Sequence, residues 1–542
     1  MNVRPCPMGR RRRPPTREAG KGSEMGKKFT VAALLAGSAL IMPIPAHAAA
    51  QDPAGQPEAT QPDQSDATAD ATIQGTNQVD ELQAKIELLQ AQVEALQESL
   101  EAVKTQQAKV TPSWKGAPEY SDKDAGFTFK PKGFAQFDAG YVGFPDGDEM
   151  RGTVSGLNFA NLGFNTRARR LVLGAEGTLP GRFGYKVEFN FAQGTVDYED
   201  IILTYDFEKA PLQIAVGNFY PYSSLETMTS ARVTSFMERA SITDAFNYNR
   251  RLGIGFQYSD KANDSYVLQA GIFSTPINDA SFTRTGWQAS LRGVYSPTLG
   301  TTRLHLGANF QHRSNNQEAM GQQYRTRPLT QITDQRFIDT GTVASKGDDT
   351  LGVEFGAVHK SLHVAAEAQK VWVRDAFNPA EFAATNLDPD DNDVATGTPY
   401  NGNPSFWGGY FEIGYFLTGE TRAYKGGKWD RTKVLKPFSD GGWGAFQVNG
   451  RIDYVDLSDR VDDAPTTGLA FSAPYYVNGG KQLGLQASLI WTPVDWVRFM
   501  MQYGHLDVTG GPRALNLVDP GKAPNKRNFG VDTVAARAQV EF

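Results

Sequence analysis

The feature that most constrains this chain is an alternation of polar and apolar side chains with a period of two residues. In residues 482–489 apolar side chains fall on odd positions and polar or small ones on even positions. Residues 303–311 and 534–542 show the same period. A strand with one apolar face alternates in this way, because successive side chains point to opposite sides of a sheet. The pattern therefore predicts half-buried strands.

Sixteen such segments follow Pro131, and their connections alternate in length. Short connections such as 180–182, 209–212 and 493–496 alternate with longer ones such as 220–250 and 314–348, while 419–440 is long where a short turn is expected. Short turns on one rim and long loops on the other are typical of a membrane barrel. The predicted strands lie near 132–142, 167–179, 183–194, 200–208, 213–219, 251–259, 265–274, 285–296, 303–313, 349–360, 362–374, 406–418, 441–456, 482–492, 497–509 and 530–542.

Composition separates this interpretation from a water-soluble β-sandwich. The mean hydropathy is −0.43 although 11% of the residues are aromatic. A membrane barrel spreads its apolar residues thinly, one in every two along a strand. A sandwich would have loops of comparable length at both ends. The sequence predicts an all-β fold, a 16-stranded antiparallel transmembrane β-barrel over residues 127–542, preceded by an N-terminal α-helical coiled-coil segment.

The first 76 residues are predicted to be export signal and linker. Residues 1–48 hold an upstream extension and a signal peptide, in which a basic start at Met25 precedes an apolar run and the small-x-small site Ala46-His47-Ala48. Translation from Met1 and from Met25 both remain open. We expect the mature chain to begin at Ala49. Residues 49–76 consist mainly of Ala, Gln, Asp, Pro and Thr with almost no large apolar side chains, and they are predicted to be a disordered linker.

Residues 77–108 carry a different apolar period. Spacings of three and four residues alternate through four heptads, which predicts a coiled coil. The alternative is one amphipathic helix docked on the same chain. A second linker is predicted at 109–126. The apolar positions are Val79, Leu82, Ile86, Leu89, Val93, Leu96, Leu100 and Val103.

Several short motifs resemble one known family when they are taken in order. Arg169-Arg170-Leu171, Gly217-Asn218-Phe219-Tyr220, Glu238-Arg239 and Leu417-Thr418-Gly419-Glu420 resemble those of the phosphate-selective porin O/P family of bacterial outer membranes. The resemblance covers residues 127–542. It implies a homotrimer of sixteen-stranded barrels, an inward-folded loop, and a constriction of Arg and Lys that passes phosphate-like anions. It also accounts for the long connection at 419–440.

Parity and the resemblance together select the candidates for an anion pathway. Six basic residues occupy the strand positions that alternate toward the lumen, opposite to the apolar positions. Arg239 lies on the loop 220–250. Arg169 adjoins Arg170 and reaches the lumen only if a β-bulge intervenes. The alternative is that inward arginines pair with inward carboxylates and stiffen a polar wall. The candidates are Arg169, Arg170, Arg239, Arg292, Arg303, Arg451, Arg537 and Lys186.

The chain departs from the family at three positions. Phe134, Asn218 and Thr227 stand where the family tends to have Arg, Arg and Lys. The sequence therefore predicts an outer-membrane porin for small anions but leaves open the degree of phosphate selectivity. The alternatives are a general porin and a structural tether, whose coiled coil binds peptidoglycan or another periplasmic partner.

The remaining functional classes receive no support from the residues. No nucleophile motif, cofactor loop or third metal ligand beside His359 and His363 is found, so no enzyme, cofactor or metal site is predicted. The basic run Arg10 to Arg13 directly precedes a signal peptide, which argues against nucleic-acid binding. The predicted partners are outer-membrane lipid, small anionic solutes and two further copies of the chain.

Overall fold

The computed structural model describes residues 82–101 and 113–542, with internal gaps. The predicted leader at 1–48 and the linker at 49–76 lie outside the described residues. The gaps are residues 115–116, 123, 146–161, 247–248, 261, 275, 278–285, 316–320, 378–401, 462–471, 474–475 and 515–521.

Sixteen long strands form the wall, and each overlaps one of the sixteen predicted segments. Their bounds are β1 Phe127–Val142, β2 Gly163–Leu179, β3 Phe183–Asn190, β4 Asp197–Asp206, β5 Leu212–Phe219, β6 Arg251–Ser259, β7 Tyr266–Phe273, β8 Trp287–Tyr295, β9 Thr302–Ser314, β10 Ser345–His359, β11 Leu362–Ala376, β12 Ser405–Phe416, β13 Ala445–Asp459, β14 Tyr476–Val494, β15 Val497–Thr509 and β16 Asn528–Glu541.

The wall closes on itself. Each strand pairs antiparallel with the next, from β1 with β2 to β15 with β16. The last strand, β16, pairs with β1 through Glu541 opposite Phe134 and Thr533 opposite Val142. Closure leaves no strand edge unpaired, as a membrane barrel requires. The predicted 16-stranded antiparallel barrel is confirmed.

The strands place their apolar side chains outside and their polar side chains inside. On β14, Leu485 and Leu489 are 46% and 42% exposed, whereas Gln482 and Gln486 are 1% and 7% exposed. This order is the reverse of a soluble protein and fits a wall that faces lipid. The polar inner face then becomes the surface on which inward-folded segments can dock through hydrogen bonds.

Residues 220–250, here the inward loop, fold into the barrel and supply part of its apolar interior. They contain two short helices, α1 Leu225–Met228 and α2 Ser241–Phe246. The Ser224 hydroxyl caps α1 by accepting a hydrogen bond from the Thr227 amide at 3.3 Å. Leu225, Phe236 and Ile242 are fully buried. The prediction that this loop packs inside the barrel agrees with the structure.

Two further segments enter the lumen. The outer hairpin, residues 315–344, pairs Gln322–Thr326 with Ile338–Val343. The inward turn, residues 417–444, pairs Tyr424–Lys425 with Lys428–Trp429. The hairpin meets the inward loop where the Asp244 carboxylate accepts a hydrogen bond from the Arg327 amide at 2.9 Å. The turn meets it where the Trp429 amide donates to the Thr229 hydroxyl at 3.3 Å.

Short elements occupy the remaining connections, and the predicted linker 109–126 contains two short strands. The second of these, Pro118–Asp122, pairs with the start of β1. No described helix is long and apolar enough to cross a membrane. The short elements are Ser113–Trp114, Pro118–Asp122, Thr298–Leu299, Ser472–Ala473, Ala192–Gly194, Phe438–Asp440, Gly511–Ala514 and Pro524–Lys526.

A helix covers residues 82–101, within the predicted coiled coil. Its heptad positions Leu82, Ile86, Leu89 and Leu96 are 60%, 52%, 57% and 67% exposed. The helical period is therefore present, and its apolar stripe faces water in the single chain. Self-association through this stripe stays a prediction.

Candidate functional site

The barrel encloses a cavity of about 900 Å³ between β1–β5, the inward loop, the outer hairpin and the inward turn. Its described lining is strongly charged, with more cations than anions. The basic residues are Lys130, Lys132, Arg169, Arg170, Lys186, Arg232, Arg239, Arg250, Arg327, Lys428 and Arg431, and the acidic ones are Glu176, Glu188, Asp197, Glu199, Asp200, Glu238, Asp244 and Asp430.

A β-bulge places both Arg169 and Arg170 on this cavity. Gln136 on β1 pairs with Arg170, whereas the next residue, Phe137, pairs with Ala168. Arg169 is thus the extra residue, and its side chain turns to the same side as its neighbour. Arg169 binds Glu238, with Nε 2.9 Å from Oε1 and Nη2 3.0 Å from Oε2. Arg170 Nη1 donates to Gln136 Oε1 at 2.8 Å and makes no ion pair with a described carboxylate.

Arg239 lines the cavity from the inward loop and also holds that loop together. Its guanidinium donates to the carbonyls of Glu226, Thr227 and Thr229 at 3.0, 3.2 and 2.9 Å. These carbonyls lie at the C-terminal end of α1, where helical partners run out. The Tyr220 ring lies 5.6 Å from the guanidinium. Arg239 therefore keeps its charge in the lumen without an ion pair to a described carboxylate.

Lys186 lines the cavity but is neutralised by its neighbours. Its ammonium bonds to the Asp200 carboxylate and lies 2.9 Å from Glu188 Oε2. Asp200 in turn binds Arg250. Paired charges of this kind give a polar, stiff wall rather than an open anion site.

The other four candidates face inward as parity predicts, but the structure does not place them on the cavity. Arg292 pairs with Glu354 at 2.7 Å, and Arg451 pairs with Glu226 and Glu412 at 2.6 and 2.7 Å. Glu354 lies two strands away from Arg292, Glu412 lies on the strand next to Arg451, and Glu226 lies on the inward loop.

Arg303 and Arg537 are held in the same way. Arg537 makes a two-point pair with Asp138, both contacts at 2.7 Å. Arg303, near the turn after β8, donates to Ser296 Oγ at 2.7 Å and to two backbone carbonyls. For these four positions the structure favours the alternative in which inward arginines anchor the wall and the loops.

Lys428, which the sequence did not single out, lines the cavity from the tip of the inward turn. No ion pair joins it to a described carboxylate. Enclosure by protein, with Lys186 near it, lowers the pKa of its ammonium below the ordinary value. The only sequence sign was a Lys-Gly-Gly-Lys turn inside an unexpectedly long connection.

Phe134 shows what replaces one of the family's basic residues. Its ring lines the cavity 4.6 Å from the guanidinium of Arg232. Arg232 comes from the inward loop and pairs with Glu188 at 2.8 Å. The inward loop thus supplies a positive charge, that of Arg232, near the position of Phe134. This charge is paired with the carboxylate of Glu188. Among the described residues, no group of three His, Cys, Asp or Glu side chains is arranged to hold a metal ion.

Known proteins match the chain over most of its length. An uncharacterized protein of Caulobacter vibrioides is 35% identical over 449 residues, 81% of this chain and 78% of that protein. Porin O of Pseudomonas aeruginosa is 26% identical over 409 residues, 70% of this chain and 87% of that protein. OmpT, an outer membrane protein of Vibrio cholerae, superposes with a TM-score of 0.42 at 11% identity, over 78% of this chain and 98% of that one.

The family comparison covers nearly all of the barrel. The family model described as phosphate-selective porin O and P matches residues 146–542. This range includes fifteen complete barrel strands, the inward loop and the inward turn. The chain therefore belongs to the phosphate-selective porin O and P family and is an outer-membrane porin.

Proposed function

We propose that this porin is a diffusion channel for small anions, phosphate and related oxyanions among them. The observation that carries the proposal is the set of Arg170, Arg239 and Lys428. All three line one cavity, come from three separate segments, and have no ion pair with a described carboxylate. Charged donors that are not already neutralised can replace part of the hydration shell of an anion.

The arrangement suits conduction as well as binding. Several moderate sites in series let an ion leave as well as enter, whereas one deep site would trap it. Arg170 is on the wall, Arg239 on the inward loop and Lys428 on the inward turn, so three separate segments supply cations to one cavity. The carboxylates that neutralise Arg169 and Lys186 keep the field moderate. A general porin with little selectivity is the alternative.

This function predicts a measurable preference in the wild-type channel. In a salt gradient across a planar bilayer, the reversal potential should show that chloride permeates more readily than potassium. Added phosphate should reduce the chloride current, because the oxyanion competes for the same guanidinium donors. A cation-selective reversal potential would remove the anion proposal, and an unselective open channel would support the general porin.

We also propose that the channel is a homotrimer in which residues 77–108 form a periplasmic coiled coil. The strands of the wall are shortest from β3 to β8, where each has eight to ten residues. Several of these are shorter than the roughly 9–11 residues that a tilted strand needs to cross the apolar layer. A neighbouring barrel on that side would cover these short strands, and the exposed heptad stripe would join the helices of the subunits.

Changes in the heptad stripe test the coil separately from the barrel. Replacing Leu89 and Leu96 with Asp would bury like charges in the seam, so cross-linking through the helix should fall and the trimer should dissociate at a lower temperature. Leu88→Asp is the control, because Leu88 is 60% exposed but lies outside the a and d positions. A double variant as heat-stable as the control would show that the barrels alone hold the subunits together. A blocked wild-type channel with an intact coil would favour the tether.

A further inference from the structure

Glu238, next to Arg239 on the inward loop, is bound by two arginines of the wall. Arg169 holds it through two parallel bonds, 2.9 Å from Nε to Oε1 and 3.0 Å from Nη2 to Oε2. Arg537 Nη2 donates to Oε1 at 2.7 Å. Arg170 follows Arg169 on the same side of the bulge. The Glu238 carboxylate is therefore bound by two guanidiniums, and the charge of a third, that of Arg170, lies near it.

This donor set is the one that proteins use for a free oxyanion. A planar guanidinium matches two oxygens of a carboxylate or a phosphate, and a second guanidinium can bind one of those oxygens from another side. Burial disfavours charge on Glu238, but Arg169 and Arg537 outweigh it and hold the pKa of this carboxyl well below its ordinary value. The group is thus an anion in the lumen at neutral pH.

The two arginines depend on Glu238 to different extents. Arg537 keeps a two-point pair with Asp138, at 2.7 Å for both contacts, whether or not Glu238 is present. Arg169 has no other ion pair with a described carboxylate. Arg169, Arg170 and Glu238 all line the cavity, so a solute reaches this place from the lumen.

We propose that Glu238 is a tethered anion that occupies an oxyanion-binding site formed by Arg169 and Arg537, with Arg170 beside it. The ligand class is a small oxyanion, such as phosphate or a carboxylate, with at least two oxygens to meet the Arg169 fork. The inference rests on the proposed anion pathway. It adds that this chain carries its own competitor at a donor cluster of the lumen, which keeps passing anions weakly held.

The inward loop does not depend on Glu238 alone for its position. The Met237 amide donates to Gln502 Oε1 at 2.9 Å, and the Ser241 amide donates to Asp453 Oδ2 at 2.7 Å. The Arg537 guanidinium also donates to the Met237 carbonyl. Backbone anchors on both sides of residue 238 should therefore keep the loop in place when the carboxylate is removed.

The experiment compares block of the chloride current by inorganic phosphate in the full-length channel. Glu238→Gln keeps the size of the side chain and removes its charge, which should lower the half-blocking phosphate concentration by on the order of tenfold. Glu238→Ala should act in the same direction. Adding Arg169→Gln to Glu238→Gln should cancel the gain. Glu412→Gln is the matched control, since Glu412 also pairs with a wall arginine, Arg451, but does not line the cavity.

The outcomes separate this inference from the proposed function. The wild-type channel could show no anion preference while Glu238→Gln becomes sensitive to block by phosphate. That result would support the role of Glu238 as a tethered anion and would contradict the proposed function. An anion-selective wild type whose phosphate block is unchanged in Glu238→Gln and Glu238→Ala would overturn the tethered anion. An equal gain in Glu412→Gln, or a gain that survives Arg169→Gln, would overturn it as well, since the effect would not come from this site.

Discussion

Replacing Arg170 with Glu should cause the largest loss of anion preference of any single change in the lumen. Arg170 lines the cavity, donates a hydrogen bond to the neutral side chain of Gln136, and has no ion pair with a described carboxylate. The substitution changes the local charge by two units in a narrow lumen, where water screens less than in bulk. We expect the chloride-to-potassium permeability ratio, measured from the reversal potential, to fall by on the order of tenfold, about 1.4 kcal/mol.

The control carries the same change of charge at the outer rim. Arg325 on the outer hairpin is 45% exposed at its side chain and lies 4.0 Å from Asp339. Arg325→Glu should shift the reversal potential far less, because bulk water and salt screen the new charge. Arg170→Gln removes one charge without adding another and should fall between wild type and Arg170→Glu. Equal shifts from Arg170→Glu and Arg325→Glu would mean that Arg170 lies off the ion path.

The barrel could be predicted because its signal is local. Period-two alternation requires only that one face of each strand meets lipid and the other meets a polar interior. Each of the sixteen segments contains this information within about ten residues, and the alternating loop lengths add the direction of each strand. The strand that closes the barrel, β16, was visible in residues 534–542 for the same reason.

The alternation of side chains also predicted which arginines point into the lumen. It further indicated that a β-bulge would be needed for two adjacent arginines to point the same way. Arg169 and Arg170 cannot both face the lumen in a regular strand, and the bulge resolves the conflict. Nothing in the residues around Arg169 marks a bulge. Only the register against β1 shows it, and register depends on the partner strand.

The roles of those arginines could not be predicted, because their partners are distant in the chain. Arg451 pairs with Glu226, 225 positions away, and Arg537 pairs with Asp138, 399 positions away. Parity tells which side a side chain faces but not which carboxylate the folded loop brings to it. Lys428 could not be predicted for the same reason, because its position in the lumen depends on how the inward turn docks. An inward arginine in such a sequence is therefore as much a loop anchor as a binding site.

Arg239 combines both roles, so its substitutions should separate charge from anchoring. Its guanidinium donates to three carbonyls at the end of α1 and keeps its charge in the lumen. Arg239→Lys keeps the charge, but one ammonium cannot reach three carbonyls in the same geometry. Arg239→Glu loses the charge and every donor. Charged hydrogen bonds contribute about 1.5–3 kcal/mol each, so the folded conformation of the inward loop should be destabilised by on the order of 3 kcal/mol in Arg239→Glu.

The measurable consequences differ between the two variants. Arg239→Glu should lower the anion preference and weaken phosphate block far more than Arg325→Glu, because its charge change lies in the lumen. Arg239→Lys should keep most of the anion preference, while both variants raise the open-channel current noise as the loop loosens. If Arg239→Lys loses as much anion preference as Arg239→Glu, then Arg239 acts only by holding the loop. If Arg239→Glu shifts the reversal potential no more than Arg325→Glu does, its charge does not act on passing ions, and Arg170 and Lys428 remain as the anion-selective cations.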